Sequence, residues 1–244
     1  MTEPTHLAAL YNAAEIILWV EDRLTAAYLS ALWEAPLWLQ CYVGGSNETL
    51  KALVEAARDS GRRGVYSLRD RDFGPTNRPR WRGDVTLFAL DTFEIECFLL
   101  DPQALATCAV NTGRRSAAEI HDRLTRRAGD LLWWMACRKT IADLRTDGYL
   151  DFPPHPKRSF VVSRDTAEDV LLNNPWVKTT VPGLEERVKA DRLRHDLLAA
   201  HEHYAQHLAA GTWTGVFSGK ELLGEILGWV FTRTRPTRCQ PRGV

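Results

Sequence analysis

The chain has 244 residues, 45% hydrophobic and 25% charged, the composition of an ordinary globular protein long enough for one large domain or a domain with an insertion. Lys plus Arg and Asp plus Glu number 31 each, so the formal net charge of zero excludes an argument for polyanion binding from overall charge and leaves only local patches. The five cysteines (Cys41, Cys97, Cys108, Cys137, Cys239) form no Cys-x-x-Cys pair, which argues against a zinc site or disulfide framework and fits a reducing cytoplasm. The N-terminal stretch MTEPTHLAALYNAAE lacks the basic-then-apolar layout of a signal peptide. No apolar run approaches the ~18 residues of a membrane span. The expectation is a soluble, cytoplasmic protein with no membrane partner.

Taken in chain order, the first third alternates strand and helix. IILWV (16–20) reads as a buried strand by its branched and aromatic residues. Glu21 and Asp22 follow it, and then Leu24, Tyr28 and Leu32 recur at helical spacing with Ala27 and Ala31 beside them. LWLQCYV (37–43) is a second strand. Gly44-Gly45 turns the chain, Ser46 or Asn47 caps, and Leu50, Leu53, Val54 and Ala57 form the buried stripe of the next helix. Val65, Tyr66 and Leu68 make a third strand closed by Gly74-Pro75, and VTLFAL (85–90) a fourth. Strands separated by helices imply parallel crossovers and an α/β sheet.

Beyond Asp101-Pro102 the texture becomes helical. Residues 116–147 and 184–210 read as helices around a Pro-rich loop, LDFPPHPKR (150–158). GVFSGKELLGEILGWVF (215–231) gives a last apolar helix, followed by the basic tail RTRPTRCQPRGV. The organisation read from this is a core over 1–105, a helical insertion over 106–210, and a C-terminal helix with the basic tail over 211–244, the helix returning to the core.

The acids cluster at strand ends. Glu21 follows the first strand, Asp70 and Asp72 the third, and Glu94 and Glu96 the fourth. In an open parallel sheet the carboxyl ends of the strands share one edge, where ligands bind, so these acids are expected to converge. In RDRDFG (69–74) a continuing strand would send Asp70 and Asp72 to one face and Arg69 and Arg71 to the other. Two carboxylates so placed repel by roughly 2.5 kcal/mol at an effective dielectric near 20, which a cation between them would relieve. Carboxylate oxygens select hard cations such as Mg²⁺ or Mn²⁺. Each acid alone also reads as a solvated group at a helix N-terminus, favourable to the helix dipole; the set favours the metal.

ILWVED, YVGGSN, YSLRDRDFG, FEIECFLLDP and FSGK resemble, in order, the motifs of OLD-type Toprim nucleases. The chain is most similar to stand-alone Toprim effectors that partner an ABC-type ATPase in PARIS-type anti-phage defence. The resemblance covers residues 16–105 and the segment around 215–227, leaving the helical middle outside it. It implies a Toprim, Rossmann-like fold with a mostly parallel sheet flanked by helices and a helical insertion. It also implies hydrolysis of DNA or RNA, including tRNA, with two Mg²⁺ or Mn²⁺ ions. On the matching positions Glu21, Asp70 and Asp72 would hold metal. Glu96 would join them or orient a water, and Lys220 would offset charge on the scissile phosphate. The partners implied are a nucleic-acid substrate, an ABC-type ATPase subunit and a second copy of the chain in a homodimer. Many such proteins carry Gly after the first Glu and Asp four residues beyond it; here Asp22 and Thr25 stand at those places. Asp22 is the candidate to supply the missing acid.

Other features are weaker. Gly44 and Gly45 offer backbone N–H groups to a phosphate, but a tight strand-to-helix turn explains them as well. GVFSGKE is not a P-loop, since Glu221 occupies the Ser/Thr position. Arg62, Arg63, Arg78, Arg80 and Arg82 flank the Asp-x-Asp segment with Trp81 among them, a patch suited to phosphates and a stacked base; Arg71, within the segment, and Arg80 and Arg82 are the phosphate candidates. Arg114, Arg115, Arg123, Arg126 and Arg127 read as a solvated helix face, as do His201, His203 and His207; Cys97, Trp133, Trp134 and Trp176 read as core. Two rival functions remain: an Asp-x-Asp, Mn²⁺-dependent glycosyltransferase, and a non-catalytic Toprim-like regulatory or assembly subunit, which the Thr25 departure supports.

Overall fold

In the computed structural model residues 10–34, 37–73, 86–146, 156–173 and 189–231 are described. Arg78, Arg80, Trp81, Arg82, the Gly74-Pro75 turn, Trp176, Cys239 and the basic tail lie outside them. The chain divides into two compact units, Met1–Ile95 and Glu96–Val244.

The first unit is α/β. Strands β1 (Ile16–Val20), β2 (Leu39–Val43), β3 (Val65–Arg69) and β4 (Leu87–Ala89) form an all-parallel sheet in the order β2-β1-β3-β4. β1 is central, and Val20, Ile17, Trp19 and Leu18 are all buried because the strand is covered on both faces. Helix α1 (Arg23–Leu32) packs Leu29 with Leu18 and Val20 on one face. Helix α2 (Asn47–Asp59) packs Leu50, Val54 and Ala57 with Ile17, Trp19 and Val65 on the other. The period-2 alternation of β1 thus feeds two cores at once. Ser46 caps α2 by accepting the Thr49 N–H.

The sequence expectations for β1 and α1 hold closely, and three others are corrected. β2 starts at Leu39 rather than 37, and the described part of the fourth strand is only Leu87–Ala89. Glu94 and Glu96 follow the fourth strand as expected, Glu96 on a 3₁₀ helix over Ile95–Leu99 and Glu94, buried, just before it. The third correction concerns β3, which ends at Arg69. Its pairing with β4 stops at Arg69↔Ala89, and Asp72 instead turns in the left-handed region at φ 49°, with its N–H on the Phe93 carbonyl.

The second unit is helical: α3 (Pro102–Thr107), α4 (Ala117–Thr146), α5 (Arg164–Leu172), α6 (Ala190–Ala209) and α7 (Gly219–Val230). Asp101 caps α3 ahead of Pro102, and Ser163 with Thr166 forms a capping box on α5. α4 supplies the apolar stripe Ile120, Leu124, Ala128, Leu131 and Met135. Leu193, Leu197, Ala200 and Tyr204 of α6 and Leu222, Ile226 and Val230 of α7 are the buried faces of their helices. α7 is tied to α4 by Arg123–Glu225 at 2.8 Å and Arg127–Glu221 at 3.4 Å. The guanidiniums of Arg115 and Arg123 lie 4.5 and 4.7 Å from the Trp229 ring centre. The arginines expected as a solvated face therefore include three that hold α7.

The histidines also depart from a plain exposed face. His201 stacks on Trp133 with centroids 3.8 Å apart, and His207 Nδ1 lies 2.8 Å from Thr212 Oγ1. Burial against the indole lowers the His201 pKa below the ordinary histidine value. The unfolded chain then takes up a proton where the folded chain does not. The stability tied to neutral His201 is present above the ordinary pKa of about 6.5 and is lost as pH falls through it. His201→Phe keeps the stack without the titration, so urea unfolding should show a smaller loss of stability for the variant than for the native chain between pH of about 7.5 and 5.5. Equal losses would contradict this account.

One backbone contact in the sheet admits no side chain. A Cβ on Gly64 would stand 2.0 Å from the Glu15 carbonyl oxygen, at the point where the Ile17 N–H bonds the Gly64 carbonyl. Gly64→Ala should lower the unfolding free energy by about 1–3 kcal/mol with an unchanged denaturant slope.

Candidate functional site

The strand order places a crevice between β1 and β3. From β1 the chain passes to β2 on one side, then crosses back to β3 on the other, with α1 and α2 on opposite faces. That reversal is the topological switch point, and ligands of open α/β sheets bind outside the strand carboxyl ends there. Glu21 follows β1 and Asp70 follows β3, one on each side of the crevice.

The two acids are joined through backbone. The Asp70 N–H donates to Glu21 Oε2 at 3.1 Å, and Asp70 Oδ1 accepts the Ile95 N–H at 3.2 Å. Asp70 is buried, which only a hydrogen-bonded carboxylate tolerates at low cost. Segment 91–95 is shaped for this by Thr92, whose hydroxyl donates to the Glu94 carbonyl at 3.1 Å, and by Arg71, whose guanidinium donates to the Asp91 carbonyl at 2.7 Å. The Ile95 N–H is a part of the site that sequence reasoning missed. Its only signal was the Asp91-Thr92 pair, typical of a turn that ends a strand.

The remaining expected members are placed differently. Asp72 is exposed on its left-handed turn and does not share a strand face with Asp70, because the strand has already ended. Asp22 caps α1, its Oδ1 accepting the Thr25 N–H at 2.8 Å, and Thr25 is buried in the first helical turn. The acid proposed to replace the one missing at Thr25 is thus engaged in a local structural bond. Gly44 is packed closely, a Cβ there lying 2.6 Å from Leu50 Cδ2, and Gly45 has the left-handed φ of 89° that favours glycine, so a turn accounts for both. Arg62 and Arg63 precede β3, roughly 20 Å from Asp70 along an extended strand, and so do not flank the acids.

In the helical unit Glu96 and Lys220 form a pair of their own. Lys220 Nζ is 4.0 Å from Glu96 Oε1; the carboxylate is buried and the lysine half exposed. Gly219 makes this approach feasible, because a Cβ there would meet Cys97 N at 2.6 Å and the Glu96 carbonyl carbon at 2.9 Å. The neighbouring Glu221 is held by Arg158 at 2.6 Å and Arg127 at 3.4 Å, which fixes the first turn of α7.

The donors at the crevice are carboxylate oxygens, the type that Mg²⁺ or Mn²⁺ takes. Mg²⁺ is usually held by one or two carboxylates with waters and substrate completing its shell. Glu21 and Asp70 are two donors of that type, brought together by the bond from the Asp70 N–H to Glu21. Among the described residues no three His, Cys, Asp or Glu side chains gather as a metal-holding group, so the two-ion set expected from the sequence is not assembled there. Burial pushes the Cys137 thiol up to about 12 and raises that of Cys41, so neither is poised as a nucleophile. Among the described residues no helix is long and apolar enough to cross a membrane.

No family model, no curated protein and no solved structure matches the chain.

Gly219→Ala should cost about 1–3 kcal/mol of stability, because the methyl meets backbone rather than a movable side chain. It should also part Lys220 from Glu96. Urea unfolding measures the first effect, and a pH titration of the Lys220 side chain by NMR the second.

Proposed function

We propose that this chain is a metal-dependent phosphodiester hydrolase of the Toprim type. The single observation that carries the reading is the apposition of Glu21 and Asp70 across the switch-point crevice, at 3.1 Å from the Asp70 nitrogen to the Glu21 carboxylate. Glu21 and Asp70 would hold one Mg²⁺ or Mn²⁺, which when bound supplies a Lewis acid and a hydroxide at neutral pH. Their backbone hydrogen bonds hold the two carboxylates in place before substrate arrives. The resemblance assigns Glu96 and Lys220 to the same chemistry, with Lys220 countering phosphate charge, and these two are already paired. It also supplies the finer proposals: a DNA or RNA substrate, a role as effector in bacterial anti-phage defence, control by an ABC-type ATPase partner, and a homodimeric active form.

A second reading, a non-catalytic regulatory or assembly subunit, is favoured by the structural bonds that Asp22, Glu21 and Asp70 make to backbone N–H groups. Amide variants separate the two. Glu21→Gln and Asp70→Asn keep an acceptor oxygen and remove the charge, so both should retain the fold while losing metal binding. With supercoiled plasmid and bulk tRNA as substrates, under Mn²⁺, Mg²⁺ or EDTA, the native chain should cut in a metal-dependent manner. Either variant should lower the rate by about 100-fold or more. An unchanged rate in Glu21→Gln would refute the hydrolase reading. A native chain that binds no Mg²⁺ or Mn²⁺ at millimolar concentration in calorimetry would establish the non-catalytic one.

A further inference from the structure

We propose that the open edge of β2 seats a second copy of this chain, through antiparallel pairing of the two β2 strands about Cys41. A homodimer is already part of the reading above, on which this inference rests for its partner; the edge strand supplies the surface, and its test is separate from that of the hydrolase chemistry.

Among the described residues β2 ends the sheet. The Ile16 N–H donates to the Trp38 carbonyl and the Gly44 N–H to the Val20 carbonyl, each at 2.8 Å. In a parallel ladder a residue's N–H and C=O point the same way, so Trp38, Gln40, Tyr42 and Gly44 turn theirs toward β1. Leu39, Cys41 and Val43 therefore present theirs to the open side. Natural edges are usually guarded by charge, proline or a bulge. From Leu37 to Gly45 (LWLQCYVGG) there is no charged residue. Leu37 is 90% exposed, Trp38 50% and Val43 45%, with Leu32 at 60% and Trp33 at 38% where α1 ends. Trp33, Leu37, Leu39 and Cys41 also line a cleft of about 250 Å³ on this side of the sheet.

The strand is complementary to itself. A two-fold axis at Cys41 pairs Leu39 with the second copy's Val43, so all the outward N–H and C=O groups meet outward partners. A one-residue slip would set them against groups already turned inward. In the same register Trp38 falls opposite Gly44, and Leu37 opposite Gly45. The bulky exposed side chains thus land beside residues with none, and nothing lies within 4 Å of where a Gly45 Cβ would stand. A two-fold axis normal to a sheet does not exchange its faces, so both copies of α1, with Leu32 and Trp33, lie on one side of the joined sheet. The apolar surface these residues expose is on the order of 500 Å² per copy; with the strand backbone added it approaches the roughly 800 Å² per partner of a standard interface.

The test is the mass of the full chain by sedimentation equilibrium between about 1 and 100 µM. The native chain should weigh twice its 27.6 kDa. Leu37→Asp, at a site exposed enough to leave the melting temperature unchanged, should raise the dissociation constant about 30-fold or more. In the proposed pair the two Cys41 Cα atoms lie about 5.5 Å apart, within disulfide reach, so copper–phenanthroline should crosslink native dimers and spare Cys41→Ser. A chain monomeric at every concentration overturns the proposal. So does a dimer that Leu37→Asp leaves intact, or one that crosslinks as readily with Cys41→Ser.

Discussion

β1 is hydrogen-bonded along both edges and covered on both faces, and the rest of the first unit follows from that constraint. A strand so enclosed must be apolar at every position, as IILWV is, and its first polar residue must lie where the enclosure ends. That residue is Glu21. The same enclosure forces the crossovers onto opposite faces, α1 against Leu18 and Val20 and α2 against Ile17 and Trp19. Opposite crossovers open the crevice between β1 and β3. The position of the acids is therefore a by-product of how a short parallel sheet buries its central strand.

At that position the acids carry backbone hydrogen bonds, and the proposed cation would be held by the same carboxylates. The bond from the Asp70 N–H to Glu21 closes the ends of β1 and β3, and the bond from the Ile95 N–H to Asp70 brings the chain after β4 back to the same point. A charge-assisted bond of this kind contributes on the order of 2 kcal/mol. A carboxylate that is held this way loses little freedom when a cation binds, because its orientation is already set. The structural bonds and the proposed cation binding are compatible, and removing the charge while keeping the acceptor separates them.

Elements governed by local patterning were legible in the sequence. The bounds of β1 coincide with the apolar run, and α4 fills nearly the whole stretch expected to be helical. Features that depend on distant contacts were not. Asp70 and Asp72 look like alternating strand residues, but β3 runs only as far as its pairing with β4, and the chain then turns back to Phe93. The 3₁₀ helix over Ile95–Leu99 was not read from the sequence either; its Glu96–Cys97 backbone lies against Gly219, more than 100 residues later. Glu96 and Lys220 were linked beforehand only by the family resemblance. Their approach depends on the absence of a side chain at 219, which local spacing does not reveal. Asp22 illustrates the converse: the letter was legible, but the nearest N–H takes it for a cap.

The left-handed turn at Asp72 bears on how substitutions there would be tolerated. Only glycine, and to a lesser degree asparagine and aspartate, occupy that region of backbone space at small cost. Two independent requirements, one on main-chain shape and one on side-chain charge, would therefore retain the same letter. An asparagine or glycine at 72 satisfies the first and abandons the second, whereas a glutamate does the reverse. The set of residues accepted at this one position separates a turn that happens to be acidic from an acid that happens to sit on a turn.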